Sequence, residues 1–103
     1  MNELKEKLAQ IRFTAKNVDI EMTPDMIAIL NSEMRQKLIL EVKELCEQYR
    51  ISLRNGRRER IKQINIPSRD EEKRAIQLVD KQIKEDTEKT YVLQEAKIKE
   101  LSA

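Results

Sequence analysis

The sequence predicts an all-α protein, an antiparallel three-helix bundle built on a long helical hairpin with a shorter first helix. Three observations carry that prediction. Ile, Leu, Val and Met recur at helical spacing through most of the chain, a pattern that structureless polar chains lack. Breakers are scarce, with one glycine and two prolines in 103 residues, too few for the many turns of a sandwich or barrel. Charged residues make up 39% and aromatics only 3%, the balance of long helices rich in Ala, Glu, Lys, Leu and Arg. The length fits a single domain spanning residues 1–103.

The first segment places Leu4, Leu8, Ile11, Ala15 and Val18 at spacings of four and three, which puts them on one helical stripe. A helix is expected over about residues 2–17, closing near Lys16-Asn17, where Asn can end a helix. Val18, Ile20 and Met22 alternate with Asp19 and Glu21, so an extended linker is expected over about 18–30. Within it, Thr23-Pro24-Asp25 reads as a turn, because proline fixes its own φ and restricts the residue before it.

Asn31 is then the expected N-cap of the second helix, with Glu33 where the helix dipole favours an acid. Leu38, Val42, Leu45, Tyr49 and Leu53 form its stripe, widened by Ile39 and Cys46, and the period continues to Ile61 and Ile64. The second helix is therefore expected over about 31–64. Asn65-Ile66-Pro67 breaks it as a turn over 65–67. Ser68-Arg69-Asp70-Glu71 is a capping-box sequence. Ile76, Val79, Ile83, Thr87, Thr90, Ile98 and Leu101 carry a third helix over about 68–101. Two helices of equal length, each roughly 50 Å at about 1.5 Å per residue, joined by three residues, must fold back as a hairpin. A pair alone leaves its stripes wet, so the first helix is needed to cover them.

Composition removes several functions. One glycine, Gly56, cannot build a phosphate-cradling loop, and no histidine with one cysteine cannot build a zinc site. Cys46 holds a packing position without a histidine to activate it, so it reads as an inert thiol of a reducing compartment. Glu71-Glu72 and Glu85-Asp86 are adjacent on helices and do not face each other, as paired catalytic acids must. No enzyme activity, cofactor or metal is expected. No apolar run is long enough to span a membrane, and the N-terminus reads as neither a secretory signal nor a transit peptide.

Charge is concentrated rather than large. Residues 50–62 carry Arg50, Arg54, Arg57, Arg58, Arg60 and Lys62 against Glu59, a local net charge of +5 in a chain whose total is +2. Guanidinium groups at fixed helical intervals suit the phosphates of a folded RNA. They equally suit a solvated face with i,i+4 pairing, although a single acid within the stretch neutralises it poorly. Tyr49, Tyr91 and Phe13 form no stacking platform, so no base-specific recognition is expected. Gly56, inside the helix, reads as tolerated drift or as a point of close approach.

Some of these residues resemble a known family, ribosome recycling factor. Leu30-Asn31-Ser32-Glu33-Met34-Arg35 is similar to its Leu-Thr-Glu-Glu-Arg-Arg helix start. Arg54-Asn55-Gly56-Arg57-Arg58 falls, without a gap, on its Arg-Asn-x-Arg-Arg motif. Ser68-Arg69-Asp70-Glu71-Glu72-Lys73-Arg74-Ala75 is similar to the opening of its third helix, Ser-Glu-Asp-Glu-x-Lys-Arg-Ala. A weaker likeness covers Leu8-Ala9-Gln10-Ile11-Arg12, where Phe13-Thr14-Ala15-Lys16 replaces the family's Thr-Gly-Arg.

The resemblance implies the family's three-helix domain alone, docked on large-subunit rRNA. The family's inserted β-rich second domain has only about a dozen residues in its place, and half of the first helix is absent. The resemblance makes Arg57 and Arg58 the leading rRNA contacts, with Arg54 close behind. Arg50 and Lys62 lie on the same flank, and Arg12 and Lys16 are outlying candidates. It also suggests elongation factor G as a partner, in a bacterial cytoplasm or a mitochondrial matrix. If the first helix is parallel to the third, as the family implies, its missing half uncovers a groove around Leu53, Ile61, Ile64, Ile76 and Val79. Such a seam usually meets a partner, here a homodimer mate or another helix. A helical interaction module with no ribosomal role is therefore the alternative function.

Overall fold

The structure is a computed structural model describing residues 1–14 and 22–102. It comprises α1 (Asn2–Gln10), α2 (Pro24–Gln63) and α3 (Arg69–Ser102), and no strand occurs among the described residues. The predicted class holds: α2 and α3 form a long antiparallel hairpin, and the short α1 packs against it. The molecule is a rod of 73 × 18 × 17 Å.

Two boundaries differ from expectation. The second helix begins at Pro24, well before Asn31, and runs for 40 residues. Thr23 is its N-cap, accepting a hydrogen bond at Oγ1 from the N–H of Met26 at 3.2 Å. Pro24 fills the first helical position, where its missing N–H costs nothing, and Asp25 suits the dipole. The residues read as a turn are thus a helix start, because the same φ restriction serves both. Asn31 lies in the helix interior, with its Oδ1 buried and unpartnered.

The first helix ends at Gln10 rather than near Lys16-Asn17. Ile11 is already extended, at φ −83° and ψ 103°, and its N–H donates to the Leu8 carbonyl at 3.1 Å. A helix this short is marginal alone and persists only where it packs. Leu4 and Leu8 pack fully. Beyond them the chain extends so that the Phe13 ring lies under the Arg35 guanidinium, 4.3 Å from its centroid. The expected extended piece, Val18 to Glu21, lies outside the described residues.

The hairpin turn falls as predicted. α2 closes at Gln63 with Ile64 extended, and α3 opens at Arg69 after Pro67 and Ser68. The Glu72 N–H reaches the Ser68 carbonyl at 2.9 Å. No side-chain cap from Ser68 forms among the described residues.

α1 runs parallel to α3 and antiparallel to α2. Met1 and Lys5 border a cleft with Glu85, Lys89 and Val92, while Leu8 and Ala9 border Ala96 and Glu100. The N-terminal ammonium donates to the Tyr49 hydroxyl at 3.0 Å, whereas Phe13 lies lower, beside Arg35. The buried apolar core follows from this placement: Leu4, Leu8, Val42, Cys46 and Leu101. Burial pushes the Cys46 thiol pKa up, against a smaller opposing pull from Arg50, so the thiol stays protonated at neutral pH.

Toward the turn, burial stops. No residue of 51–63 or 69–89 is fully buried. Leu53, Ile61, Ile64, Ile76 and Val79 are each half-buried, because two helices cover only one side of each seam residue.

Candidate nucleic-acid interface

The basic residues predicted to share one flank of α2 divide into two sets. Arg50 and Arg57 are seven residues apart, two helical turns, and both turn toward α3. Arg54, Arg58 and Lys62 follow at intervals of four and lie outward, all exposed.

Arg50 is a correction to the predicted contacts. It is only 5% exposed. Its Nε donates to Glu47 Oε2 at 3.1 Å, and its Nη1 donates to Gln94 Oε1 at 3.0 Å and to Thr90 Oγ1 at 3.5 Å. The guanidinium carbon stands 4.1 Å from the centroid of the Tyr91 ring. A buried cation persists only when its donors are satisfied, and here the hairpin itself satisfies them. Arg50 is therefore a cross-hairpin tie, with no edge offered to a phosphate. Its partners Thr90 and Gln94 lie 40 and 44 positions away, beyond the reach of any local spacing rule.

Arg57 pairs with Asp80 of α3 through two hydrogen bonds, Nε to Oδ1 and Nη2 to Oδ2. The pairing holds the Asp80 carboxyl below its ordinary pKa and raises that of Arg57, through the hydrogen bond first and charge second. Both side chains are nearly half exposed, 42% and 47%, so this tie stays in contact with solvent. Sequence reasoning missed Asp80, whose position opposite Arg57 is set only when the turn fixes the hairpin register.

Arg54 extends outward and donates to Glu47 Oε1 at 3.3 Å. Glu47 thus receives two arginines, and their hydrogen bonds lower its carboxyl pKa. Lys62 meets Glu59 at 3.6 Å with both side chains open to solvent, a pair that competes weakly with any stronger anion. Arg58 and Arg60 make no ion pair among the described residues. The exposed basic flank is therefore Arg54, Arg58 and Lys62 with Arg57 at its edge, while Arg60, two residues from both Arg58 and Lys62, turns to another side of the helix.

Arg12 is exposed, its Nε donating to the Ala9 carbonyl at 3.1 Å. It follows α1 beside the Phe13–Arg35 contact, roughly 30 Å along α2 from Arg57 at about 1.5 Å per residue. The structure does not bring it to the basic flank. Lys16 lies outside the described residues.

Other chemistry is sparse. Among the described residues, no group of three or more His, Cys, Asp or Glu side chains could hold a metal ion. No described helix is long and apolar enough to cross a membrane. An open cleft of about 520 Å³ lies between the start of α1 and α3, lined by Met1, Val92, Leu93 and charged side chains. A Cβ at Gly56 would meet nothing within 4 Å, so no intramolecular packing demands glycine there.

Fold and surface together define a class: an α-helical hairpin protein with a short covering helix and a cation-rich flank near its turn. Residues 14–101 match the family model described as Ribosome recycling factor, and the chain belongs to that family. The family places it among translation factors that act at the ribosome. The match spans α2 and α3 and begins beyond α1, so the likeness at Leu8–Arg12 lies outside it. Neither a curated protein nor a solved structure matches the chain.

Proposed function

We propose that this protein is a non-enzymatic ribosome-binding factor that docks on structured RNA of the large subunit through the exposed flank of α2. Arg57 and Arg58 are the principal contacts, supported by Arg54 and Lys62. The observation that carries this reading is the row of exposed cations Arg54, Arg58 and Lys62 on one rigid helix, with Arg57 beside it and Arg58 making no ion pair among the described residues. Cations held at fixed intervals match phosphates whose positions an RNA fold has also fixed. Without an aromatic platform, recognition rests on backbone shape and charge.

The activity assigned to this chain is docking alone, since only residues 11–23 lie between α1 and α2, where the resemblance places the family's inserted β-rich domain. The ribosomes concerned belong to a bacterial cytoplasm or a mitochondrial matrix.

Co-sedimentation with isolated large subunits over a salt series tests the proposal. Binding should fall steeply between low and moderate salt, and Arg57→Ala with Arg58→Ala should weaken it by about tenfold or more. Binding that survives both changes defeats the assignment.

A second reading, a helical interaction module, draws on the half-buried seam near the turn and on Leu78, 68% exposed beside it. A second copy brings an identical seam, and two-fold pairing would cover both. Sedimentation velocity at micromolar concentration should then show a dimer that Ile76→Glu dissociates. A compact monomer at those concentrations removes this reading.

A further inference from the structure

Of the ion pairs among the described residues, Arg57–Asp80 is the one that joins two helices; the others stay within α1, α2 or α3. It lies in the half of the hairpin that α1 does not reach. Its geometry is specific. Asp80 takes the side-on edge of the guanidinium, with Nε and Nη2 as donors. A guanidinium has five N–H donors in a rigid planar fork. The end-on edge, Nη1 with the second hydrogen of Nη2, is therefore left for another acceptor, and the side chain is 42% exposed.

An arginine without a partner samples many rotamers and must lose that freedom when it binds a phosphate. Asp80 removes the freedom beforehand. We propose that Asp80 is a positioning residue for RNA binding, holding the Arg57 guanidinium so that its end-on edge meets a phosphate. The proposal rests on the reading that this flank of α2 docks on ribosomal RNA, and adds to it an acidic residue on the other helix.

Simple charge counting predicts the opposite sign. Removing a carboxylate beside a cationic patch should strengthen attraction to a polyanion. Positioning predicts that Asp80→Asn weakens it, on the order of tenfold, as loss of a group that orients a ligand commonly does. Asp80→Glu, which keeps a carboxylate, should recover part of the loss. Glu59→Gln makes the same charge change on a pair that fixes no fork, and should leave affinity unchanged or higher.

The experiment is a double-mutant cycle on the full chain, read by large-subunit affinity over a salt series. Circular dichroism first fixes a temperature at which every variant is folded. If Asp80 acts through Arg57, Asp80→Asn weakens binding in the parent and changes nothing in the Arg57→Ala background. A comparable loss in that background means that Asp80 acts through hairpin stability, which overturns the inference. Tighter binding by Asp80→Asn, matching Glu59→Gln, also overturns it while leaving the RNA reading intact. Only unchanged binding by Arg57→Ala with Arg58→Ala defeats the RNA reading itself, and the inference with it.

Discussion

The Arg50 guanidinium of α2 donates to the Gln94 side chain of α3 at 3.0 Å, near the level where α1 begins. On one side of this bond lie Val42, Cys46 and Leu101, all fully buried. On the other side Thr90 is buried against Arg50, and beyond it no residue of 51–63 or 69–89 is fully buried. A polar tie at that boundary fixes the register of the hairpin where apolar packing alone would permit sliding, the best-attested role of a buried polar group.

Arg50→Ala should therefore cost about 2–3 kcal/mol, because it leaves Gln94 without its partner and removes the guanidinium that lies over the Tyr91 ring. Urea denaturation followed by circular dichroism measures it. The same variant should keep its salt-dependent subunit affinity when assayed well below its melting temperature, since Arg50 offers no donor outward.

The acid limb of stability should depend on Glu47 and Asp80. Both carboxyls are lowered in the folded protein, from ordinary values of 4.5 and 3.8, by hydrogen bonds from arginine. A group lowered on folding adds stability above its unfolded pKa and loses it as pH falls through the folded value. The contribution should thus be complete at neutral pH and should vanish stepwise below about pH 4.5. Thermal melts from pH 7 to pH 3 should show that loss, and Glu47→Gln with Asp80→Asn should flatten the curve.

Gly56→Ala should stabilise the helix by about 1 kcal/mol, because alanine is favoured in a helix interior and its Cβ meets open space. Guanidinium denaturation reads the gain. Subunit binding measured alongside shows whether an RNA backbone approaches that position: a stabilised variant with lost affinity means that it does.

Leu4→Ala should detach α1. Leu4 is 1% exposed and is one of the two α1 side chains in the core. Its truncation should cost about 3 kcal/mol, more than nine helical residues can recover by themselves. Hydrogen exchange should show α1 amides losing protection while those of 42–50 and 90–101 retain more.

The period of Leu38, Val42, Leu45, Tyr49 and Leu53, and that of Ile76, Val79 and Ile83, made the two long helices legible, because helical burial repeats with the turn of the helix. Pro67 and Ser68 made the hairpin legible. The start of α2 was legible in kind but misplaced. Thr23-Pro24-Asp25 carries a capping signal, and the alternation of Val18, Ile20 and Met22 just before it masked that signal. The end of α1 left no local mark, since Ile11 is no habitual helix terminator and only packing decides where a short helix stops.

Sequence alone determined the helices, the fold-back and the excess of cations along α2, since each is written in neighbouring residues. Tertiary structure decided which cations serve the protein and which face outward. Arg50 and Arg57 differ from Arg54 and Arg58 by a rotation about the helix axis that brings the first two against Gln94 and Asp80. Whether an arginine is spent inside depends on acceptors supplied by a distant strand of chain, and their position exists only once the hairpin has closed.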